Sequence, residues 1–437
     1  GRETPFPSIE FLFSLRPTKM RLGLENITAL LRSQDDPQEG IPAVLVAGTN
    51  GKGSVTTFLT SILRASGLRT GTFYSPHLFR INERIRVDGE EIPSPDLDRI
   101  IRRLRKTYDE TRFTFFEGVT AAAAIWFRER GVDAAVYEVG LGGRLDATRL
   151  VDAKVTVISG ISIDHSEHLG RTRAKILDEK LGITRSGVPL VASLPARALE
   201  ERAARHCARA GIPFHPVPGE TSRSRGRIDA DGTTFGKDAG MTFSLATPLR
   251  DYGEVTTGMI GAHQILNAAT AVRSAEMFLP GRRPGRPAVR KGLAEASLAG
   301  RFQILKGEPR TILDVSHNEE ALCASLDTLL SLSPPERNVI VFGVMARKQL
   351  GRFPEKAMRS ARDIILVPLK DEGAAGRDEL LSRFSGIPAA AGRVMAELRP
   401  VRGMHGAIKL AGRLAGPGDT VLVLGSHIAV EEAVARM

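Results

Sequence analysis

The segment GTNGKGS, Gly48 to Ser54, lies where the apolar run IPAVLVAG hands over to a helical pattern from about Lys52 to Ala65. Strand, glycine-rich turn and helix in that order leave few alternatives. The glycines let backbone N–H groups approach phosphate oxygens, the helix N-terminus adds positive potential, and Lys52 supplies a point charge. Ser54 can face a metal. The spacing departs from the usual phosphate-loop pattern because Gly53 separates Lys52 from Ser54. A plain glycine-rich turn is the alternative reading.

Further strand-like runs end at Ser75, Gly140, Gly160 and Ser193, with helical patterns between most of them. This alternation predicts an α/β fold with a mainly parallel sheet covered by helices on both faces. Between about Ser222 and Met259 short alternating stretches suggest a small antiparallel appendage. A helix is expected from about His263 to Phe278, and the Pro-, Gly- and Arg-rich stretch from Leu279 to Arg290 reads as a connection. TILDV, NVIVFG, RDIILVP and DTVLVLG then predict a second, smaller α/β domain, so the expected division is 1–297 and 298–437. A chain of 437 residues is long enough for two or three such cores.

Lys plus Arg exceed Asp plus Glu by 61 to 50, a formal charge of +11. That balance suits nucleic acid or an enzyme that gathers polyanions. The basic residues are interspersed with acidic ones along the whole chain, and four Tyr and one Trp offer few stacking platforms, which disfavours nucleic acid. Two cysteines, Cys207 and Cys323, suggest neither a disulfide framework nor a cysteine zinc site. A reducing cytoplasm is expected, with no secretory signal or membrane span in the sequence.

In a parallel sheet the carboxyl ends of the strands line the ligand crevice. YSPHL therefore brings Ser75 and His77 to the edge that carries the glycine-rich loop. Glu138 closes the strand before GLGGRLDAT, and a carboxylate there can hold Mg²⁺ against ATP phosphates or simply cap a turn. TFFEGVT, Thr114 to Thr120, opens an Ala-rich helix. DHSEHLG adds Asp164, His165 and His168, a pair of imidazoles with no third zinc ligand nearby. Lys180 lies on a helix beside Glu179, where an exposed ion pair is the plain reading. Later, Asn267 is a usable partner for an adenine edge. Arg301 follows in AGRFQ, while Asp314, His317 and Asn318 leave the carboxyl end of a strand.

Taken in order, GTNGKGS, SPHL followed by ERI, FFE, EVGLGGRLDAT, IDH, EKLGI, GxHQxxNA, GRFQ and LDVSHN resemble the folate branch of the Mur ligase superfamily, the dihydrofolate synthase and folylpolyglutamate synthase enzymes. The resemblance runs from RLGLENITALL at Arg21 to VLVLGS at Ser426. It implies an N-terminal P-loop ATPase domain joined to a Rossmann-like C-terminal domain, with the active site in the cleft between them.

The resemblance also implies roles. Thr49, Asn50, Gly51, Lys52, Gly53 and Ser54, with Asn267, Arg301 and Asp314, would bind ATP. Ser75, Glu138 and His165 would hold Mg²⁺, with Lys180 carbamylated and also a metal partner. Thr114, Phe116 and Asp146 would contact the pterin, and Lys52, Lys180 and His317 would be catalytic. The implied activity is ATP-dependent ligation of L-glutamate to dihydropteroate and to folates through an acyl phosphate, by a cytoplasmic monomer acting on small molecules without nucleic acid or membrane. Folylpolyglutamate synthesis alone, a P-loop ATPase acting on nucleic acid, and a ligand-binding regulator remain the alternatives. Arg149, the Arg347-Lys348-Gln349 triplet and His427 depart from the family pattern.

Overall fold

The computed structural model describes residues 6–15, 23–217, 227–229, 240–279, 281, 284–387 and 395–437. Arg21 and Leu22, most of the expected appendage between Ser222 and Ala239, and Pro280, Arg282 and Arg283 of the expected connection lie outside them. The chain divides into two compact units. The first comprises Gly1–Ser222, Leu245–Tyr252 and Leu266–Leu293, the second Arg223–Ser244, Gly253–Ile265 and Ala294–Met437.

The first unit is built on an eight-stranded sheet whose strands in chain order are β1 (Ala43–Ala47), β2 (Thr70–Phe73), β3 (Ile85–Val87), β4 (Glu90–Glu91), β5 (Ala134–Glu138), β6 (Ala153–Ile158), β7 (Leu190–Ala192) and β8 (Phe214–Pro216). Their spatial order is β4-β3-β2-β5-β1-β6-β7-β8. All pairings are parallel except β2 with β3 and β3 with β4. Every residue of the central β1, AVLVA, is buried, as a parallel strand covered on both faces requires. On one side Ala43, Leu45, Ala47, Phe73, Ala135 and Tyr137 pack with Leu30, Leu97, Ile101, Val119 and Phe127 from the covering helices. Beyond β6 a second cluster joins Ile158 and Leu190 to Ile176, Leu177, Leu199 and Cys207.

A three-stranded sheet follows, β9 (Arg227–Asp229), β10 (Gly240–Ala246) and β11 (Asp251–Thr257), ordered β11-β10-β9 with β9 and β10 antiparallel. The second unit carries β12 (Gln303–Leu305), β13 (Arg310–Leu313), β14 (Asn338–Phe342), β15 (Asp363–Leu366), β16 (Glu397–Pro400) and β17 (Thr420–Leu424), ordered β12-β13-β17-β14-β15-β16. Only the β12–β13 pair is antiparallel. Ile340, Phe342, Ile364, Leu366, Leu422 and Leu424 pack against Leu322, Leu326, Phe353, Leu380 and Phe384.

The expected α/β class with a mainly parallel sheet and a second, smaller α/β portion is what the chain forms. One correction concerns the stretch 279–290: a helix, Arg286–Glu295, already begins inside it. Pro287 sits in that helix's first turn, where its missing N–H costs no hydrogen bond.

Candidate functional site

Sheet register aligns four strand ends in the first unit. Phe73 of β2 lies opposite Tyr137 of β5, Glu138 opposite Val46 of β1, and Ala47 opposite Ile158 of β6. The segments that leave these ends carry Ser75, the residues after Glu138, Gly48 to Ser54, and Ser159 to His165, so one edge gathers what the sequence scatters over more than a hundred residues.

The helix Lys52–Ala65 starts as expected, with Gly51 as its N-terminal cap in the left-handed region at φ 83°. Its buried face, Val55, Phe58, Leu59, Ile62 and Leu63, anchors it to the sheet. The loop before it is held from β6. Thr49 N–H donates to the Gly160 carbonyl at 2.8 Å, and its hydroxyl donates to the Ser162 carbonyl at 3.1 Å. The Ser159 hydroxyl donates to the Asn50 carbonyl at 2.7 Å, and the Asn50 amide donates to the Ser162 hydroxyl at 3.2 Å. A Cβ on Gly51 would stand 2.4 Å from Asn267 Oδ1, so Asn267 abuts the glycine-rich loop directly. Lys52 Nζ donates to the Thr49 carbonyl at 3.4 Å, which curls the side chain back over the loop.

Lys180 lies in the last turn of the helix Arg173–Leu181 and is not the exposed partner of Glu179 that its neighbourhood in sequence suggests. It is 4% exposed, and its Nζ donates to the Gly48 carbonyl at 2.8 Å. Burial, and secondarily the Lys52 charge, lower its pKa from 10.5 to about 7, with Asp164 and Asp146 opposing. About half of the amine is therefore neutral near pH 7, where an ordinary lysine is almost wholly cationic.

Glu138 is buried, and its Oε2 accepts the Ser75 N–H at 3.2 Å. His165 follows β6 with φ 50° and caps the short helix Ser166–Leu169. Among the described residues no three His, Cys, Asp or Glu side chains cluster to hold a metal. The donor set Glu138 carboxylate, Ser75 hydroxyl and His165 imidazole nonetheless suits a hard, oxygen-preferring cation that shares its shell with phosphate and water. The residues present fit Mg²⁺ on that ground.

Around the remaining candidates, Thr114 caps the helix Phe115–Glu129, exchanging hydrogen bonds with Glu117. Phe116 is half-buried. Its ring lies against Gly140, where a Cβ would be 2.6 Å away, and 5.8 Å from Phe73. Asp146 is buried and accepts from Leu141 N–H and from the Thr148 N–H and hydroxyl; burial raises its carboxyl pKa against those bonds. Sequence reasoning missed Ser159 and Ser162, whose signal lay in the small residues of SGIS, and the bracing role of ERI. Glu83 accepts three successive N–H groups from Leu78, Phe79 and Arg80, and Arg84 donates to His77 Nδ1 at 2.7 Å.

In the second unit, Asp314 follows β13 and accepts from Phe302 N–H at 3.0 Å and Ser316 N–H at 2.8 Å, which fixes the chain next to Arg301. Asn318 caps the helix Glu319–Leu332. The His317 and His427 rings lie 6.0 Å apart. Arg347 and Gln349 are exposed on a loop braced by Arg383, which donates to the Lys348 and Ala346 carbonyls.

The family models for the Mur ligase middle domain and the Mur ligase glutamate ligase domain match residues 46–275 and 300–427. The chain is 33% identical over 342 residues to the dihydrofolate synthase/folylpolyglutamate synthase of Bacillus subtilis, covering 75% of this chain and 76% of that protein. It is also 33% identical over 440 residues to a Haloferax volcanii protein described as "Probable bifunctional folylpolyglutamate synthase/dihydropteroate synthase", covering 98% of this chain but spanning 50% of that relative. Among solved structures, Escherichia coli FolC in complex with DHPP and ADP superposes with a TM-score of 0.82 at 29% identity, over 99% of this chain and 97% of that one. A bifunctional folylpolyglutamate synthase/dihydrofolate synthase with Mn, AMPPNP and L-glutamate bound gives 0.82 at 28% identity, over 99% and 98%.

Proposed function

The chain belongs to the folylpolyglutamate synthase/dihydrofolate synthase family of Mur ligases, and we propose that it joins L-glutamate to dihydropteroate and to folates at the expense of ATP. A carboxylate is a poor electrophile. Its oxygen attacks the γ-phosphorus of ATP, ADP leaves, and the resulting acyl phosphate is attacked by the glutamate amine, which loses a proton as inorganic phosphate departs. Most of the catalytic demand is positioning and charge stabilisation. In this reading the amides of Thr49 to Ser54 cradle the phosphates and Lys52 meets the transferring group. Glu138, Ser75 and His165 hold a divalent cation, which supplies charge neutralisation when bound. Thr114, Phe116 and Asp146 form the pterin wall, and Asn267, Arg301, Asp314 and His317 serve the nucleotide. Residues 1–297 carry the ATP-binding part and 298–437 the glutamate-ligase part, a division supported by the two family matches.

The observation that carries the reading is the bond from Lys180 Nζ to the Gly48 carbonyl, because it puts a buried, readily neutral amine against the phosphate loop. Only the neutral amine attacks CO₂, so this environment favours a carbamate, which turns a repelled cation into an oxygen-bearing anion beside Lys52 and the metal. The protein acts as a cytoplasmic monomer without nucleic acid. Purified protein with ATP, L-glutamate and dihydropteroate or tetrahydrofolate should release phosphate and give a product one glutamyl residue heavier by mass spectrometry. Phosphate release stimulated by DNA or RNA, with none under any pterin, overturns the assignment. Product only from reduced folates reduces it to folylpolyglutamate synthesis.

A further inference from the structure

Behind the proposed pterin loop the first unit holds a cavity of about 480 Å³ lined by Arg144, Arg149, Arg185, His206, Thr184 and Asp178, among others. Its volume lies in the range of small-molecule sites. Arg144, Arg149 and Arg185 face it, and none makes a close ion pair with a carboxylate among the described residues, although Asp152 attracts Arg185 from a greater distance. Arg149 Nε donates to the Gly182 carbonyl at 2.9 Å, and Arg185 donates to the Arg149 carbonyl. Arg144 is exposed and makes no hydrogen bond or ion pair with any described residue. The one lining carboxylate, Asp178, is held by both arms of Arg202 at 2.7 and 2.6 Å, and nearby Asp152 pairs with Lys154 at 2.8 Å. Each guanidinium has five N–H donors in a planar fork that matches carboxylates and phosphates, and here most of those donors remain for a ligand. Confining three like charges is unfavourable unless an anion joins them.

No Phe, Tyr or Trp is among the lining residues, and the single ring is the His206 imidazole, so a nucleotide base or pterin finds no broad aromatic wall here. Aliphatic Leu181, Ala210 and Ile212 suit methylene groups between anionic ones. We propose that this cavity binds a flexible aliphatic polycarboxylate. Its walls touch the catalytic elements directly: a Cβ on Gly143 would lie 2.9 Å from the Lys180 carbonyl, and one on Gly182 would lie 2.5 Å from Arg144 Cβ. Occupancy therefore bears on both the Asp146 loop and the end of the Lys180 helix, and the site reads the anion next to the chemistry.

A γ-linked triglutamate peptide is the probe, a choice that rests on the ligase reading. It is titrated calorimetrically, without ATP, at constant ionic strength because exposed charges are screened by salt. Binding should weaken about tenfold in Arg144→Gln and in Arg185→Gln, and as much in Ser186→Asp, which sets a carboxylate at the cavity rim without removing a structural bond. ADP binding by the same variants, measured separately, should not change. Absence of triglutamate binding, binding that none of the three substitutions affects, or tighter binding of pyrophosphate than of triglutamate overturns the proposal. Because no turnover is needed, failure here is distinguishable from failure of the ligation assay.

Discussion

Replacing Lys180 by Met separates the burden of a buried amine from the catalytic use proposed for it. Between pH 7 and 10.5 the unfolded chain holds Lys180 protonated while the folded chain does not, so the unfolded state binds the extra proton. Stability therefore rises with pH across that window, by up to about 1.4 kcal/mol per pH unit. At pH 7, where the folded amine is about half protonated, folding carries a cost of about 4 kcal/mol from this residue. Met keeps most of the methylene volume and removes the titration, at a loss of about 1 kcal/mol for the bond to Gly48. In CO₂-free buffer Lys180→Met should be about 3 kcal/mol more stable than wild type at pH 7, with the gain gone by about pH 10. Urea midpoints followed by the fluorescence of Trp126, the sole tryptophan, read this out, since it lies in the helix Phe115–Glu129 of the same unit. Added bicarbonate should raise the wild-type midpoint and leave the variant unchanged. A stability difference that does not vary with pH refutes the reasoning.

Glu138→Ala should lower ligation by about a hundredfold or more, as loss of a metal-organising carboxylate does, and titration with Mn²⁺ by electron paramagnetic resonance should show weakened binding. Gly51→Ala should weaken ATP binding and destabilise by about 1–3 kcal/mol, because the positive φ strains any side chain there and the methyl group would displace Asn267 Oδ1 from 2.4 Å. Gly67→Ala, at φ 89° with open space around it, should show a backbone penalty alone in calorimetry, with ATP affinity intact. Burial pushes the Asp98 carboxyl up, yet hydrogen bonds from Arg102 and the N–H groups of Ser8 and Ile9 outweigh it and hold the pKa below its ordinary 3.8. Its contribution is present above pH 3.8 and lost as pH falls through the lowered value, so Asp98→Asn should cost about 1–2 kcal/mol at neutral pH and less in acid, as thermal melts would register.

The helix after the glycine-rich loop was legible because its cap, glycines and apolar spacing all agree. It runs Lys52–Ala65, as the pattern predicts. The buried strands were legible for a related reason: β1 is a continuous apolar run, and β5, β6, β14 and β17 are rich in Ala, Val, Ile and Leu with few polar interruptions. Strands that escaped notice, β3, β4, β8, β12 and β16, are two to four residues long, and β4, β8, β12 and β16 close the edges of their sheets. An edge strand with solvent on one side needs little apolar character, which is why Glu397–Pro400 can serve. Lys180 misled for a different reason. Its Gly48 partner stands 132 residues away, so nothing local marks it as buried, and a lysine beside a glutamate is ordinarily solvated. The arginine cavity was invisible for the same reason, since Arg144 and Arg149 meet Arg185 only through the fold.

Two serines on β6's exit segment bear on how the glycine-rich loop, the proposed nucleotide site, should be transplanted or repaired. Because Ser159 and Ser162 grip Asn50 and Thr49 from across the strand boundary, GTNGKGS behaves as half of a two-part clasp. Grafting the heptapeptide alone onto another strand and helix would supply the glycines and the lysine but not the curvature. Conversely, a one-residue slip of β6 against β1 would break the clasp, and with it the proposed phosphate binding, with every residue of the motif intact.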